Sequence, residues 1–214
     1  MTDTLKTIVV RWTSARLTAQ ELDHEAWKDS HVVRLNRYWS GASAPAGRHA
    51  EARLLWSDEA LNVRFVCTQS ETLVVSHTPQ TRAKTVGLWD RDVCEIFVAP
   101  DPNTPERYFE FEAAPTGEWV DLALHAPTDG RETEWEFSSG MTAAACIEPG
   151  TVIIAMRIPW SDRLQRPTRD ERWRANLFRC VGSGETRGYL AWQPTFTPVP
   201  AFHVPEAFGW LRFG

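Results

Sequence analysis

The stretch LWDRDVCEIFVAP, residues 88–100, is typical of a turn that leads into a β-strand. Its strand portion places one glutamate within an apolar run. Because successive side chains of a strand point to opposite faces of the sheet, Cys94, Ile96 and Val98 share one face. We expect this apolar stripe to face the core, so that Glu95 points away from it.

Short apolar runs of this kind recur along the chain, and segments rich in proline, glycine and aspartate separate them. Such spacing is typical of antiparallel β-sandwiches and barrels, and it predicts an all-β fold. No linker divides the sequence, so we expect a single domain over residues 1–214. The predicted strands are 7–12, 51–56, 61–67, 93–99, 107–113, 118–124, 141–148, 151–158, 173–181 and 208–213.

A minor helix is predicted near the N-terminus, over residues 18–29. Thr18 is a suitable N-cap residue, and Glu21 stands three residues later, as in a capping box. Helix is otherwise a small part of the predicted structure.

Charge and hydropathy exclude two classes of partner. The net charge is -5 and the basic residues are scattered, so we expect no nucleic acid partner. No apolar run approaches the roughly 18 residues of a transmembrane helix, and residues 1–17 lack the pattern of a signal peptide. We therefore expect no membrane association and a cytoplasmic location for the sequence as written. A trimmed N-terminus would instead allow an extracellular or periplasmic location.

The numbers and spacing of cysteine and tryptophan indicate which kinds of site the chain can form. The four cysteines have no C-x-x-C spacing, which argues against zinc or redox sites and predicts free thiols buried within strands. Eleven tryptophans are several times the ordinary number for a chain of this length. We expect some of these indoles to face solvent or a ligand.

Alternation in the next two predicted strands places further acids on the same outer face as Glu95. In strand 107–113, Phe109 and Phe111 form the core stripe. In strand 118–124, the same reasoning assigns Val120, Leu122 and Leu124 to the core. The outer face is then expected to carry Glu95, Glu110, Glu112, Asp121, Phe97, Tyr108 and Trp119.

Carboxylates beside aromatic rings are a suitable lining for a sugar site. The apolar C–H faces of a pyranose stack on aromatic rings, and its hydroxyl groups donate hydrogen bonds to carboxylates. The alternative is that these acids form an ordinary solvated face. Val93 and Phe97 flank Glu95 and favour an enclosed position, where a carboxylate must be hydrogen-bonded or paired.

Six segments in order resemble the family 9 carbohydrate-binding module, over roughly residues 25–214. This resemblance implies an immunoglobulin-like antiparallel β-sandwich of two sheets that holds a saccharide between two tryptophans. The segments are ARLLWSDEALNVRFVC (52–67), LWDRDVCEIFVAP (88–100), RYFEFEAAPTGEWVD (107–121), VIIAMRIPWSDR (152–163), RWRANLFRC (172–180) and FHVPEAFGWLRF (202–213).

The resemblance also implies roles for particular residues. Trp89, Asp92 and Glu95 match the family's W-x-x-D-x-x-E positions, where the tryptophan forms one wall and the glutamate accepts hydroxyl hydrogen bonds. The second wall comes from the loop before the last strand, where Trp192 is the first candidate and Phe202 the second. We expect supporting polar contacts from Asp92 and from Glu110. Asp92 can equally cap the turn that enters the strand.

Two departures from the family's pattern affect the expected ligands. Thr68 and Gln69 stand where many relatives carry an acid of a calcium site, so no cofactor is expected, and a structural calcium ion stays an open alternative. Glu110 lies in the region where sugar-binding members use an arginine. The candidates to replace that arginine from another strand are Arg157, Asn176 and Arg179.

The sequence thus predicts non-catalytic binding of a mono- or oligosaccharide, with a glycoside hydrolase as a candidate partner. One alternative is a glycoside hydrolase, with Asp92 or Glu95 paired with Glu110 across the scissile bond. Another is an accessory module, or a sandwich domain that has lost its sugar site. Two stacking walls and a few hydrogen bonds predict an affinity between roughly millimolar and micromolar.

Overall fold

A computed structural model of the protein describes residues 5–127 and 130–214. The prediction of an all-β fold is confirmed, and all ten predicted strands form to within one residue at each end. Three further short strands, β2, β8 and β12, lacked a readable apolar pattern. The strands are β1 Thr7–Trp12, β2 Val33–Leu35, β3 Ala50–Trp56, β4 Ala60–Thr68, β5 Val93–Ala99, β6 Arg107–Ala113, β7 Trp119–His125, β8 Glu132–Glu134, β9 Thr142–Glu148, β10 Thr151–Pro159, β11 Arg172–Val181, β12 Gly188–Ala191 and β13 Gly209–Phe213.

Within the described residues, helical structure is limited to short 3-10 turns, so the predicted helix over 18–29 is reduced to the turn Glu25–Asp29. The capping contact does form, because the backbone N–H and hydroxyl of Thr18 donate to Glu21 at 2.8 and 2.9 Å. However, the indole N–H of Trp27 donates a hydrogen bond to the carbonyl oxygen of Glu21 at 3.1 Å. In an α-helix that carbonyl would accept from the backbone N–H four residues later. The 3-10 turns are Glu25–Asp29, Ala46–Arg48, Leu88–Asp90, Gly184–Thr186 and Pro205–Ala207.

Hydrogen bonds join the strands into one curled sheet, in the order β8-β7-β6-β5-β11-β13-β1-β3-β4-β10-β9. β1 makes the sheet continuous because it changes partner midway. Thr7 to Val10 pair in parallel with β13, and Arg11 and Trp12 pair in parallel with β3. β12 and β2 extend the sheet from β11 and β3. The hydrogen bonding is thus continuous along this path and does not confirm the predicted division into two sheets.

The main core lies where the two halves of this sheet face each other. The predicted stripe of Cys94, Ile96 and Val98 is buried there, together with Phe65 and Ile154 from the other half. The alternation of β5 therefore predicted its core face correctly. Glu95 points to the opposite face, as expected.

That opposite face is also covered, and this overturns the assignment of β7. Its register pairs Val120 with Glu112 and Leu122 with Glu110, so these apolar residues share the face of Glu95. They belong to a second apolar cluster. Asp121 lies on the other side, where its carboxylate accepts hydrogen bonds from the backbone and hydroxyl of Ser139 at 2.6 and 2.7 Å. Alternation failed here because both faces of β7 are buried.

The cysteines are free thiols, in agreement with the prediction, although Cys146 is only half-buried. The Sγ atoms of Cys67 and Cys94 lie 3.4 Å apart in the main core. Within the described residues, no helix has the length and apolar character needed to cross a membrane.

A buried arginine of β11 connects the two halves. One nitrogen of Arg179 donates to the carbonyl oxygens of Arg48, His49 and Thr68 at 2.8–2.9 Å, and another donates to the side chain of Gln69 at 2.6 Å. Only 3% of Arg179 is exposed, so little water can reach these acceptors to take the place of the guanidinium. Its loss would leave several buried polar groups unsatisfied.

We therefore expect Arg179→Ala to lower the free energy of unfolding by about 3 kcal/mol or more, measured by urea denaturation. The matched control is Arg212→Ala, which removes an exposed arginine whose partner Asp170 lies 2.8 Å away. An exposed ion pair contributes about 0–1 kcal/mol. Equal losses in the two variants would contradict the role given to Arg179.

Candidate functional site

A cavity of about 410 Å³ opens on the outer face of β5, β6 and β7. Volumes of about 300–1,000 Å³ are typical of small-molecule sites. The turn before β5, the region around β8 and the loop before β13 close its sides. The lining includes Trp89, Asp90, Glu95, Glu110, Glu112, Leu122, Leu124, Arg131, Trp135, Cys180, Tyr189, Phe202 and His203.

Three glutamates form the floor of the cavity, and we call them the carboxylate cluster. Glu95 of β5 stands directly opposite Glu112 of β6, and Glu110 lies one alternation further along the same face. One oxygen from each carboxylate lies within 4.8 Å of the others. All three residues are at most 3% exposed. Register and pleat thus bring together like charges that would ordinarily destabilise a strand pair.

The carboxylate cluster has few partners. Both carboxylate oxygens of Glu112 and one of Glu110 are buried without a hydrogen bond among the described residues. Glu95 accepts a weak hydrogen bond from the thiol of Cys180 at 3.5 Å. Within the described ranges, no lysine or arginine nitrogen lies within 4 Å of these carboxylates. Such groups are costly to bury as unpaired anions.

The surroundings of the carboxylate cluster favour protonated carboxyl groups. Burial, followed by the charge of Glu110, raises the pKa of Glu95 to about 8. Burial, followed by the charge of Glu95, raises the pKa of Glu112 well above its usual value. Burial also raises the pKa of Glu110. The cavity floor can therefore offer both hydrogen-bond donors and acceptors near neutral pH.

A histidine and a tyrosine border the carboxylate cluster. The imidazole Nδ1 of His203 and the hydroxyl of Tyr108 are 2.7 Å apart, and Nδ1 lies 4.0 Å from a carboxylate oxygen of Glu110. Burial, with a smaller effect of Arg131, lowers the pKa of His203 to about 3. His203 is therefore neutral near pH 7 and does not neutralise the glutamates.

A pinned turn positions the first aromatic wall. Gly87 adopts φ +83°, a left-handed conformation that suits glycine, and starts the 3-10 turn Leu88–Asp90. Leu88 is buried under the turn, while Trp89 is half-buried and lines the cavity. The guanidinium of Arg187 donates to the carbonyl oxygens of residues 89, 90 and 91 at 2.6–2.7 Å. This arginine fixes the backbone that carries the indole.

Aromatic rings line the cavity in two pairs. Trp89 and Trp135 have ring centroids 6.3 Å apart and planes tilted by 43°, and 45% of Trp135 is exposed. Tyr189 and Phe202 form a second, edge-to-face pair with centroids 6.1 Å apart. Phe202 stacks in turn on Phe178 at 4.0 Å. Of these four cavity rings, Trp135 is exposed, Trp89 and Tyr189 are half-buried, and Phe202 is buried.

The structure thus brings together Trp89, Glu95, Glu110 and Phe202 among the predicted site residues. It places Asp92 outside the cavity, where one carboxylate oxygen accepts a hydrogen bond from Gly182 at 2.7 Å. The other accepts from the backbone of Val74 at 3.3 Å. Asp92 therefore ties the backbones of Val74 and Gly182 to the start of β5, and among the described residues its carboxylate does not cap the turn that enters this strand.

Trp192, the first candidate for the second wall, lies in the main core instead. It is 6% exposed, and its backbone N–H donates to Leu177 at 2.9 Å. A Cβ added at Gly209 would come within 2.5 Å of its ring, so this glycine provides the space that the indole fills. The prediction that Trp192 forms the second wall is therefore wrong, because its ring lies on the core side of the sheet and not on the cavity side.

The three candidates for a replacement arginine or amide also have other partners. Arg157 pairs with Glu59 at 3.0 Å, and the side-chain amide of Asn176 donates to the carbonyl of Gln193 at 2.8 Å. Arg179 connects the two halves, as described above. Within the described residues, these side chains do not line the cavity.

The sequence model of the carbohydrate family 9 binding domain-like family matches residues 21–213. The chain belongs to this family. An "Extracellular protein" of Arthroderma benhamiae (strain ATCC MYA-4681 / CBS 112371) is 24% identical in an alignment of 146 residues that covers 63% of this chain and 64% of that protein. This carbohydrate family 9 binding domain-like chain thus spans slightly less than two thirds of that relative.

Solved structures share the fold at low sequence identity. A protein from Bacteroides uniformis ATCC 8492 has a TM-score of 0.76 at 18% identity, with coverage of 99% of this chain and 100% of that one. A family 9 module from Caldicellulosiruptor kristjanssonii in complex with glucose has a TM-score of 0.67 at 14% identity, with coverage of 98% and 96%. A family 9 module from the same organism in complex with cellotriose has a TM-score of 0.63 at 16% identity, with coverage of 97% and 93%.

Sequence reasoning missed several residues of this family 9 chain's cavity. Glu112 was placed on the outer face but not among the site residues, although its register with Glu95 follows once β5 and β6 are paired. Trp135 directly follows β8 and Tyr189 lies in β12, and both of these short strands lack an apolar pattern. His203 adjoins Phe202 but had no ligand-like spacing. For Trp135, the high number of tryptophans in the chain was the sequence signal that further indoles could face a ligand.

The raised pKa of Glu95 makes stability depend on pH. Its folded-state pKa of about 8 exceeds the ordinary 4.5, so its contribution is fully present below pH 4.5 and is lost as pH rises through 8. The pKa of His203 is lowered from 6.5 to about 3, so this residue changes the free energy of unfolding only below about pH 6.5. We expect the free energy of unfolding to fall by at least about 1 kcal/mol between pH 6.5 and 9, measured in urea.

Glu95→Gln should show a smaller fall over the same pH range, because the amide cannot ionise. The control Glu51→Gln changes an exposed glutamate of β3 and should follow the unmodified protein. If Glu95→Gln kept the full pH dependence, the raised pKa of Glu95 would not be its source.

Proposed function

We propose that this domain binds a mono- or oligosaccharide without catalysing its hydrolysis. The observation that carries the proposal is the combination, in one cavity, of two accessible indoles and three buried glutamates, two of which have carboxylate oxygens without a hydrogen-bond partner among the described residues. Indoles supply apolar faces for the C–H surfaces of a pyranose, and carboxyl groups supply partners for its hydroxyls. A purely structural role would leave those oxygens costly and unused.

The family and the fold support the same proposal. The chain belongs to the carbohydrate family 9 binding domain-like family, and two modules of its fold are solved in complex with glucose and cellotriose. We also infer that the curled sheet corresponds to the immunoglobulin-like β-sandwich expected from the sequence. We propose a glycoside hydrolase as the partner, because a weakly binding module raises the effective concentration of saccharide at an enzyme to which it is linked.

Stacking on one indole gives an estimate of affinity. A sugar face that covers roughly 100 Å² of apolar surface contributes about 2.5 kcal/mol at about 25 cal/mol per Å². Hydrogen bonds to the carboxylate cluster add to this, and immobilisation of the sugar opposes it. A dissociation constant between roughly millimolar and micromolar follows.

The spacing of the carboxylate cluster favours binding over hydrolysis. Glycosidases place their two carboxyl groups about 5–5.5 Å apart when they retain configuration and about 6.5–9.5 Å apart when they invert it. Here the nearest oxygens of all three glutamates lie within 4.8 Å, side by side on one floor. All three therefore approach a ligand from the same side, whereas the two carboxyl groups of a glycosidase flank the scissile bond.

Removal of an indole tests the proposal. We expect Trp135→Ala and Trp89→Ala each to weaken binding of cellotriose by about 10–100-fold, because each removes one stacking face. Binding is measured by isothermal titration calorimetry. The matched control is Trp12→Ala, since Trp12 is 46% exposed, like Trp135, but lies outside the cavity.

Equal binding by all three variants would place the saccharide elsewhere on the protein. Absence of binding of glucose, cellotriose and other oligosaccharides at millimolar concentration by the unmodified protein would overturn the proposal itself. Turnover of an oligosaccharide that is abolished by Glu95→Gln, with binding retained, would instead identify an enzyme.

A further inference from the structure

Two cysteine side chains meet in the main core, where the two halves of the curled sheet face each other. The Sγ atoms of Cys67 in β4 and Cys94 in β5 lie 3.4 Å apart, and neither residue is more than 2% exposed. In the hydrogen-bonded order, β11, β13, β1 and β3 lie between these two strands, so no backbone pairing joins them. A covalent bond between the two sulfurs would therefore link the two halves directly.

We propose that Cys67 and Cys94 form a disulfide when the chain folds in an oxidising environment, and that they stay free thiols in a reducing one. Disulfides persist only where the surroundings are oxidising. Within the described residues, neither cysteine lines the cavity, so this inference does not depend on the proposed function. Because Cys94 directly precedes Glu95, the crosslink would tie the strand beneath the cavity to the opposite half of the fold.

The surroundings of the pair allow the sulfurs to reach bonding distance. A disulfide has an S–S length of about 2.05 Å, so the two sulfurs must approach each other by about 1.4 Å. A void of about 10 Å³ borders both cysteines. Their cross-strand neighbours are small, since Ala50 stands opposite Cys67 and Ala113 stands opposite Cys94. Side-chain rotation and a slight shift of the strands can therefore close the gap without displacing a large side chain.

The other two cysteines point away from this pair. Cys180 belongs to the second apolar cluster, on the opposite face of the sheet from Cys94. Ala145 of β9 packs against the main core, so the adjacent, half-buried Cys146 points to the other face of its strand. Among the described residues, Cys67 and Cys94 are therefore the cysteines whose sulfurs are in contact.

A low-molecular-weight disulfide such as glutathione disulfide supplies the oxidation. The thiolate of one cysteine attacks a sulfur of this reagent, forms a mixed disulfide and releases one glutathione thiolate. The thiolate of the other cysteine then attacks the protein sulfur, forms the bond between Cys67 and Cys94 and releases the second glutathione thiolate. The two cysteines are thus oxidised, and the reagent is reduced to two thiols that take up the two protons. Since both cysteines are buried in the folded protein, the first step takes place before the two halves close.

Refolding of the unmodified protein from urea, in a glutathione redox buffer or in dithiothreitol, tests the inference. In the oxidised sample, two of the four thiols should become unreactive, and mass spectrometry of a digest should find the peptides of Cys67 and Cys94 crosslinked. The midpoint of its urea denaturation should be about 1 M higher than that of the reduced sample. The reason is that the crosslink restricts the unfolded chain between two residues 27 positions apart.

Matched variants separate this pair from the other cysteines. Cys146→Ser keeps the pair and should show the same rise in midpoint, whereas Cys67→Ala should have equal midpoints in the two buffers. Four reactive thiols after oxidative refolding, or a crosslink that includes Cys146 or Cys180, would overturn the inference. A crosslink between Cys67 and Cys94 that left the midpoint unchanged or lower would also overturn it, because the bond would then not fit the native arrangement of the two halves.

Discussion

Burial of three adjacent glutamates on the outer face of β5 and β6 is the constraint on which this account depends. Antiparallel register sets Glu95 opposite Glu112, and the pleat adds Glu110 to the same face. A solvated sheet face would hold such charges at little cost. Here the surrounding elements exclude water, so the glutamates must be protonated, paired or in contact with a ligand. The cavity above them exists because that face is covered around them but not filled.

The covering of this face explains the architecture of the site. The second apolar cluster, which includes Phe97, Phe178 and Phe208, packs the outer face on the side away from the opening. The turn that carries Trp89 and the loop that carries Phe202 then close the sides. Arg187 joins these parts, since it pins the turn and lies 5.4 Å from the ring of Tyr189. The walls are thus fixed by contacts that do not depend on the carboxylate cluster.

Much of the fold could be predicted from the sequence because the long strands carry clear apolar alternation between turn residues. The core face of β5 and the outward direction of Glu95 followed from it. β7 could not be assigned in this way, since residues on both of its faces are buried and Leu122 lies beneath the cavity. Trp192 could not be placed because its burial depends on the space at Gly209, which pairs with it only in three dimensions.

The site was predicted in outline for a similar reason. Trp89 and Glu95 belong to one continuous segment, so their joint position was readable. Trp135 reaches the cavity from β8 through contacts between distant parts of the chain, and no local pattern marks it. The importance of Glu112 depends on the register between β5 and β6, which the sequence alone leaves open.

Carboxyl carbon NMR of the glutamate side chains tests the central claim most directly. In protein with carbon-13 at the glutamate side chains, the resonances of Glu95, Glu110 and Glu112 are followed from pH 4 to 9, with and without a bound saccharide. The account predicts that the pKa values of these three are raised above those of the other glutamates, and that their resonances shift when the saccharide binds. Ordinary titration near pH 4.5 with no response to any saccharide would contradict it.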